Sequence, residues 1–202
     1  MTTTSAAAAT ADSPGIGLAQ FLTSAIEPKN VILVVCAGIC VDHYGWTGIL
    51  WAFLAVLFSA ALPLLYIRRV TKSWADRHLD QVRQRARVLP VIVASVALGA
   101  LLLWALGAPR EVLAMMAAMA ATLVALLPFT AAGWKISGHT SVSTGGIVML
   151  AVALSPAWLL VLAIVPPVAW ARVRLRAHTT GQVVAGSAIG ALVAGLVFAL
   201  GR

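Results

Sequence analysis

Five stretches of this 202-residue chain run nineteen residues or more without an Asp, Glu, Lys or Arg: 49–67, 88–106, 112–134, 140–171 and 179–201. About 20 apolar residues in a helix cross the hydrocarbon core of a bilayer, so these runs constrain the fold more than any other feature. The run at 140–171 is 32 residues long and is interrupted at Ser155-Pro156 and again at Pro166-Pro167. That length with those breaks predicts two slightly short helices rather than one. A shorter apolar segment, 30–41, extends at most to Tyr44. The expected fold is all-α: a polytopic membrane helical bundle with six or seven transmembrane helices. Composition agrees, since 61% of residues are apolar and 10% charged, where about 25% charged is ordinary for a soluble domain. Mean hydropathy is +0.99, too apolar for a water-soluble globule.

Charge then locates the polar business of the chain. Fourteen Lys and Arg oppose six Asp and Glu, a net charge of +8. Such a balance suggests nucleic acid or anionic lipid in general. Here the cations sit on short segments between apolar runs, which favours a lipid headgroup or a phosphorylated substrate and argues against nucleic acid. Three polar islands, at 68–87, 134–141 and 172–178, hold 13 of the 20 charged residues and three of the four histidines. Two helices separate each island from the next, and an even number of crossings returns the chain to the same face. The islands are therefore expected together on one membrane face, cytoplasmic by the positive-inside rule. Residues 1–28 read as a disordered or interfacial tail, with an amphipathic helix over 15–26, and 29–202 as a single transmembrane domain. Cys36 and Cys40 read as small buried apolar residues, because a disulfide within one helix turn would be strained.

The islands bring together residue types suited to phosphate. Guanidinium forks match phosphate oxygens bidentately and stabilise the charge of a phosphoryl-transfer transition state. A neutral imidazole can attack phosphorus, and a protonated one can deliver a proton to the leaving oxygen. Ser137 and the Gly138 backbone offer further donors. No Asp or Glu follows Glu111, so the last 91 residues provide no carboxylate ligand and a two-metal hydrolase is not expected. No cofactor is expected.

Ser137-Gly138-His139-Thr140-Ser141, followed by Arg172-x5-His178, resembles the last two signatures of the type 2 phosphatidic acid phosphatase superfamily. That superfamily includes bacterial undecaprenyl-pyrophosphate phosphatases and vanadium haloperoxidases. The Trp134-Lys135-Ile136-Ser137 segment is similar to that of a group of actinobacterial membrane proteins within it, and the resemblance spans roughly 76–200. It implies that His178 is a nucleophile that becomes phosphohistidine and that His139 protonates the leaving group. Arg172, Ser137 and Gly138 would hold phosphoryl oxygens. The first signature, Lys-x6-Arg-Pro, is missing. Asp76-x-His78, Arg83 and Arg87-x-x-Pro90 look like a looser bacterial form of it, which makes Arg83 and Arg87 the expected remaining cations, with Lys135 as a substitute and Asp76 and His78 as support. Four residues after His178 the superfamily has an orienting Asp, and this chain has Gln182. An amide accepts a hydrogen bond from the imidazole but adds no charge.

The other polar residues have plainer expected roles. Arg174, Arg176, Arg68, Arg69 and Lys72 read as headgroup anchors, His43 as an interfacial residue, and the tryptophans as a membrane-interface belt. Gly186-x-x-x-Gly190, continued by Ala194, is a small-residue stripe that would let a neighbouring helix approach closely. The resemblance implies a metal-independent lipid phosphatase of a bacterial plasma membrane, acting on an isoprenyl mono- or diphosphate or on phosphatidic acid. Two alternatives share the motifs: an isoprenyl-diphosphate lyase or cyclase, and a degenerate protein that binds phospholipid without turnover.

Overall fold

The computed structural model describes residues 15–71 and 82–202. Its α-helices are α1 (Ile16–Ala25), α2 (Pro28–Val56), α3 (Leu62–Thr71), α4 (Val82–Ala105), α5 (Arg110–Ala131), α6 (Gly138–Ala153), α7 (Val165–Arg174), α8 (Thr180–Ile189) and α9 (Gly195–Gly201). Single π-helical stretches, Leu57–Ala61 and Gly190–Ala194, join α2 to α3 and α8 to α9 without a break, and a 3-10 helix, Pro156–Ile164, leads into α7. Among the described residues there is no strand, so the all-α expectation stands. Five helical stretches are long and apolar enough to cross a membrane: Ile16–Val70, Gln84–Ala105, Arg110–Ala131, Pro156–Arg174 and Thr180–Gly201. This is the constitution of an integral membrane protein.

The first of these stretches, 55 residues long, is not one straight rod. At Gly45 the backbone leaves the helical region (φ 54°, ψ −130°), a conformation open to glycine and strained for residues with a Cβ. The chain then folds back, because a Cβ on Gly48 would lie 2.0 Å from the Cys40 carbonyl oxygen, eight residues earlier. A straight helix would separate those positions by about 12 Å. The returning leg packs on α4, where the Ser95 hydroxyl donates to the Phe58 carbonyl at 2.7 Å. At the turn, the Tyr44 hydroxyl donates to Glu111 in the first turn of α5. Cys36 and Cys40 are free and fully buried.

Helix α6 is the centre of the bundle. Eleven of its sixteen residues are buried, from His139 to Ala151. Its small residues make this possible, since tight helix packing in lipid relies on close backbone approach rather than on a hydrophobic drive. A Cβ on Gly186 would fall 2.6 Å from the Ser137 carbonyl oxygen, and one on Gly190 would fall 2.1 Å from that of Ser141. The Gly186-x-x-x-Gly190 stripe is thus the seam that seats α8 against the start of α6. Outward faces are apolar: Leu200 is 83% exposed, Leu160 81% and Trp46 88%. Helix α1 buries Ala19 and Thr23, rests on α7, and turns Leu18 and Phe21 outward.

The 32-residue uncharged run divides once, not twice. Ser155 is extended and caps the 3-10 helix through the Ala157 N–H at 3.3 Å. Pro166-Pro167, whose fixed φ suits a helix, fall in the first turn of α7, and the leg continues through them from the 3-10 helix.

Candidate functional site

Two helix N-termini lie side by side at the end of the bundle away from Gly45. Ser137 caps α6, its Oγ accepting from the Thr140 N–H at 3.4 Å. Thr179 caps α8 in a capping box: its Oγ1 accepts from the Gln182 N–H at 3.4 Å, and Gln182 Oε1 accepts from the Thr179 N–H at 3.1 Å. The two starts are stitched together. The Ser137 N–H donates to the Gln182 carbonyl at 3.1 Å, and the Thr140 hydroxyl donates to the Val183 carbonyl at 3.0 Å. Unsatisfied N–H groups and helix dipoles make paired N-termini favourable ground for an anion.

Helix α7 delivers the next two groups. It ends in a Schellman motif, with the Arg176 N–H bonded to the Val173 carbonyl at 2.9 Å and the Ala177 N–H to the Arg172 carbonyl at 3.0 Å. The same Arg172 carbonyl accepts from the His178 N–H at 3.2 Å. The Arg172-x5-His178 spacing is thereby closed by hydrogen bonds into one rigid unit. Arg172 is buried, at 3% exposure, and Arg174 and Arg176 are exposed.

Hydrogen bonds fix the protonation of the His178 ring. Its Nδ1 lies 3.0 Å from the Lys135 carbonyl oxygen and 3.2 Å from Gln182 Oε1. A peptide carbonyl only accepts, so Nδ1 carries the proton and Nε2 keeps a lone pair. The Gln182 amide is oriented by the same logic, since the atom facing the Thr179 N–H must be oxygen. Burial, followed by the charges of Arg172, Arg85 and Lys135, pushes the His178 pKa down from 6.5 to about 4, against a smaller upward pull from the Lys135 carbonyl. His178 is neutral at physiological pH and surrounded by three cations.

Arg85 was not among the expected cations. Its guanidinium donates to the Ile136 carbonyl, and one Nη would lie 3.2 Å from a Cβ on Gly138, so the absent side chain lets the cation rest on the α6 N-terminus. Arg87, which the motif favoured, is exposed on the other side of α4. Arg83 lies in the first turn of α4 with its side chain outside the described set, and Asp76 and His78 also lie outside the described residues. Ser137 is fully buried and His139 is 7% exposed. Hydrogen bonds and charge therefore unite Lys135, Ser137, Gly138, Arg172, His178 and Gln182 with Arg85.

Arg85, Gly138 and His139 also line the upper end of a mainly apolar cavity of about 250 Å³ that runs down between α2, α3, α4, α5 and α6. Glu27, buried and ion-paired to Lys29, stands at the same end. It is the one carboxylate among the described residues that borders the site, and its isolation in sequence gave no signal. No cluster of three or more His, Cys, Asp or Glu occurs among the described residues. Comparisons with known proteins return no matching family model, curated protein or solved structure.

Proposed function

We propose that this chain is a metal-independent membrane lipid phosphatase that hydrolyses an isoprenyl mono- or diphosphate through a phosphohistidine on His178. The observation that carries the reading is the held tautomer of His178. Two carbonyl oxygens grip Nδ1–H, leaving a neutral Nε2 lone pair among Arg172, Arg85 and Lys135. The apolar cavity that Arg85, Gly138 and His139 line at its upper end supplies a place for the lipid part. The resemblance to the type 2 phosphatidic acid phosphatase superfamily assigns the same roles to His178, His139, Arg172, Ser137 and Gly138.

In this mechanism the cations and the α6 N–H groups hold the phosphoryl oxygens. Nε2 of His178 attacks phosphorus while the P–O bond to the leaving group breaks, and His139 gives its proton to the departing oxygen. The Lys135 and Gln182 carbonyls keep Nδ1–H in place as the ring gains positive character. Water, deprotonated by His139, then attacks the phosphohistidine and releases inorganic phosphate, restoring Nε2. Counting the Gly45 hairpin as two legs and α6 as one gives seven crossings, with the site at the cytoplasmic face of a bacterial plasma membrane, where the islands of positive charge belong.

Phosphate release by purified protein in EDTA tests the reading, using geranyl, farnesyl, geranylgeranyl and undecaprenyl diphosphates and phosphatidic acid. Release that disappears in His178→Ala, with an acid-labile protein-bound phosphate trapped in wild type, is expected. Absence of release from every substrate would overturn it. A cyclised or eliminated hydrocarbon in place of a prenol or prenyl phosphate would replace it with the lyase reading.

A further inference from the structure

The cavity beneath the phosphate site has a floor, and the floor limits what can enter. Its deepest lining residues include Val35, Val96, Met119 and Met149. Arg85 to Val96 and Gly138 to Met149 are eleven residues each, about 16 Å along a helix axis. Below them the bundle is solid: Val35, Val96 and Met149 belong to the buried core cluster that continues into Leu103, Met115 and Phe198, all fully buried. An apolar cavity of about 150 Å³ holds one benzene ring, so a space of 250 Å³ holds roughly ten carbons. Two acyl tails do not fit.

The neck of the cavity is equally selective. Leu89 and Val142 line it one helical turn below Arg85 and Gly138, so apolar wall begins directly under the phosphate site. No polar layer is available for the ester groups of a glycerolipid. Three hydroxyls line the cavity, and two are occupied: Ser59 donates to the Ala55 carbonyl at 2.6 Å and Thr122 to the Ala118 carbonyl at 2.8 Å. The third, Ser141, is 0% exposed, and its Oγ has no hydrogen-bond partner among the described residues. With no accessible surface, it too leaves the wall of the cavity apolar.

We infer that the cavity takes a single prenyl chain of about ten carbons, its far end stopped by Val96, Met119 and Met149. The phosphate end rests on the proposed function above. The chain end does not, and the experiment separates them.

Calorimetric titration of the purified full chain in EDTA, at fixed detergent, would use non-hydrolysable prenyl phosphonates of one to four isoprene units. Affinity is expected to rise roughly tenfold or more per unit to the second and then to stop. Met149→Ala and Met119→Ala extend the rise to the third unit, and Ala60→Phe, which fills the deep end beside Val96, ends it at the first. A steady rise through four units in wild type would overturn the inference. So would equal or tighter binding of a phosphatidic acid or single-chain glycerophosphate analogue. The wild-type series decides the matter even if a variant fails to fold. Absence of phosphate release alongside a length optimum would defeat only the phosphatase reading.

Discussion

Gln182 Oε1 accepts from the Thr179 N–H and from His178 Nδ1–H at once, so the amide is held from two sides and holds the imidazole in turn. Together with the Lys135 carbonyl it does the orienting part of a carboxylate's work and none of the charge stabilisation. Gln182→Ala leaves the Lys135 carbonyl in place and is expected to lower kcat about 10- to 100-fold, measured as phosphate release, the loss that follows removal of a partner orienting a functional imidazole. Gln182→Asp puts a negative charge beside a ring whose pKa is about 4. It is expected to raise that pKa and move the acid limb of the kcat/KM profile to higher pH. Arg85→Ala is expected to reduce kcat/KM by 10²-fold or more, and Arg87→Ala to change it less than threefold. This pair shows where sequence fell short. Arg83 and Arg87 are one helical turn apart and share a face, whereas Arg85 lies some 200° away from either. The motif spacing selected one face of α4, and packing against Ile136 selected the other.

Breaks and seams were the legible part of the elements. Ser155-Pro156 marked the division of the long uncharged run, and the Gly186-x-x-x-Gly190 stripe marked the α8–α6 contact. Gly190→Ala pushes a methyl into the Ser141 carbonyl and is expected to destabilise the protein by about 2–3 kcal/mol in detergent unfolding, as overpacked positions do. The hairpin at Gly45 was less legible, because its first leg is short and its turn contains no Pro or Gly pair. Helix α5 ends in the same Schellman geometry as α7, but with Gly133 at the left-handed position (φ 80°), where α7 has Arg176 (φ 54°). Arg176→Gly is expected to stabilise the fold by about 1 kcal/mol, read as a higher Tm, since the left-handed conformation costs a residue with a Cβ about that much.

Over the whole molecule, the apolar runs dictated a helical membrane protein, and hydrogen bonds join Arg85 to Ile136 and His178 to Lys135, one residue or more from each expected island. The cavity was invisible in sequence because five helices, α2 to α6, contribute its wall from positions far apart in the chain. Its cations also give the fold a pH signature. His178 has a folded pKa of about 4 against an ordinary 6.5, so between those values the unfolded chain binds a proton that the folded one refuses. Stability is therefore full above about pH 6.5 and falls as pH drops towards 4, by up to about 3 kcal/mol. Thermal unfolding between pH 4 and 8 checks this, and His178→Asn is expected to flatten the same window. The Gly45 hairpin bears on how the protein is made. The uncharged part of the leg before it, residues 30–41, is about half the length that hydrocarbon spans require. Alone it is a poor client for the insertion machinery of the cell. It enters the bilayer only as the partner of the leg that follows, so the first two legs integrate during synthesis as one unit.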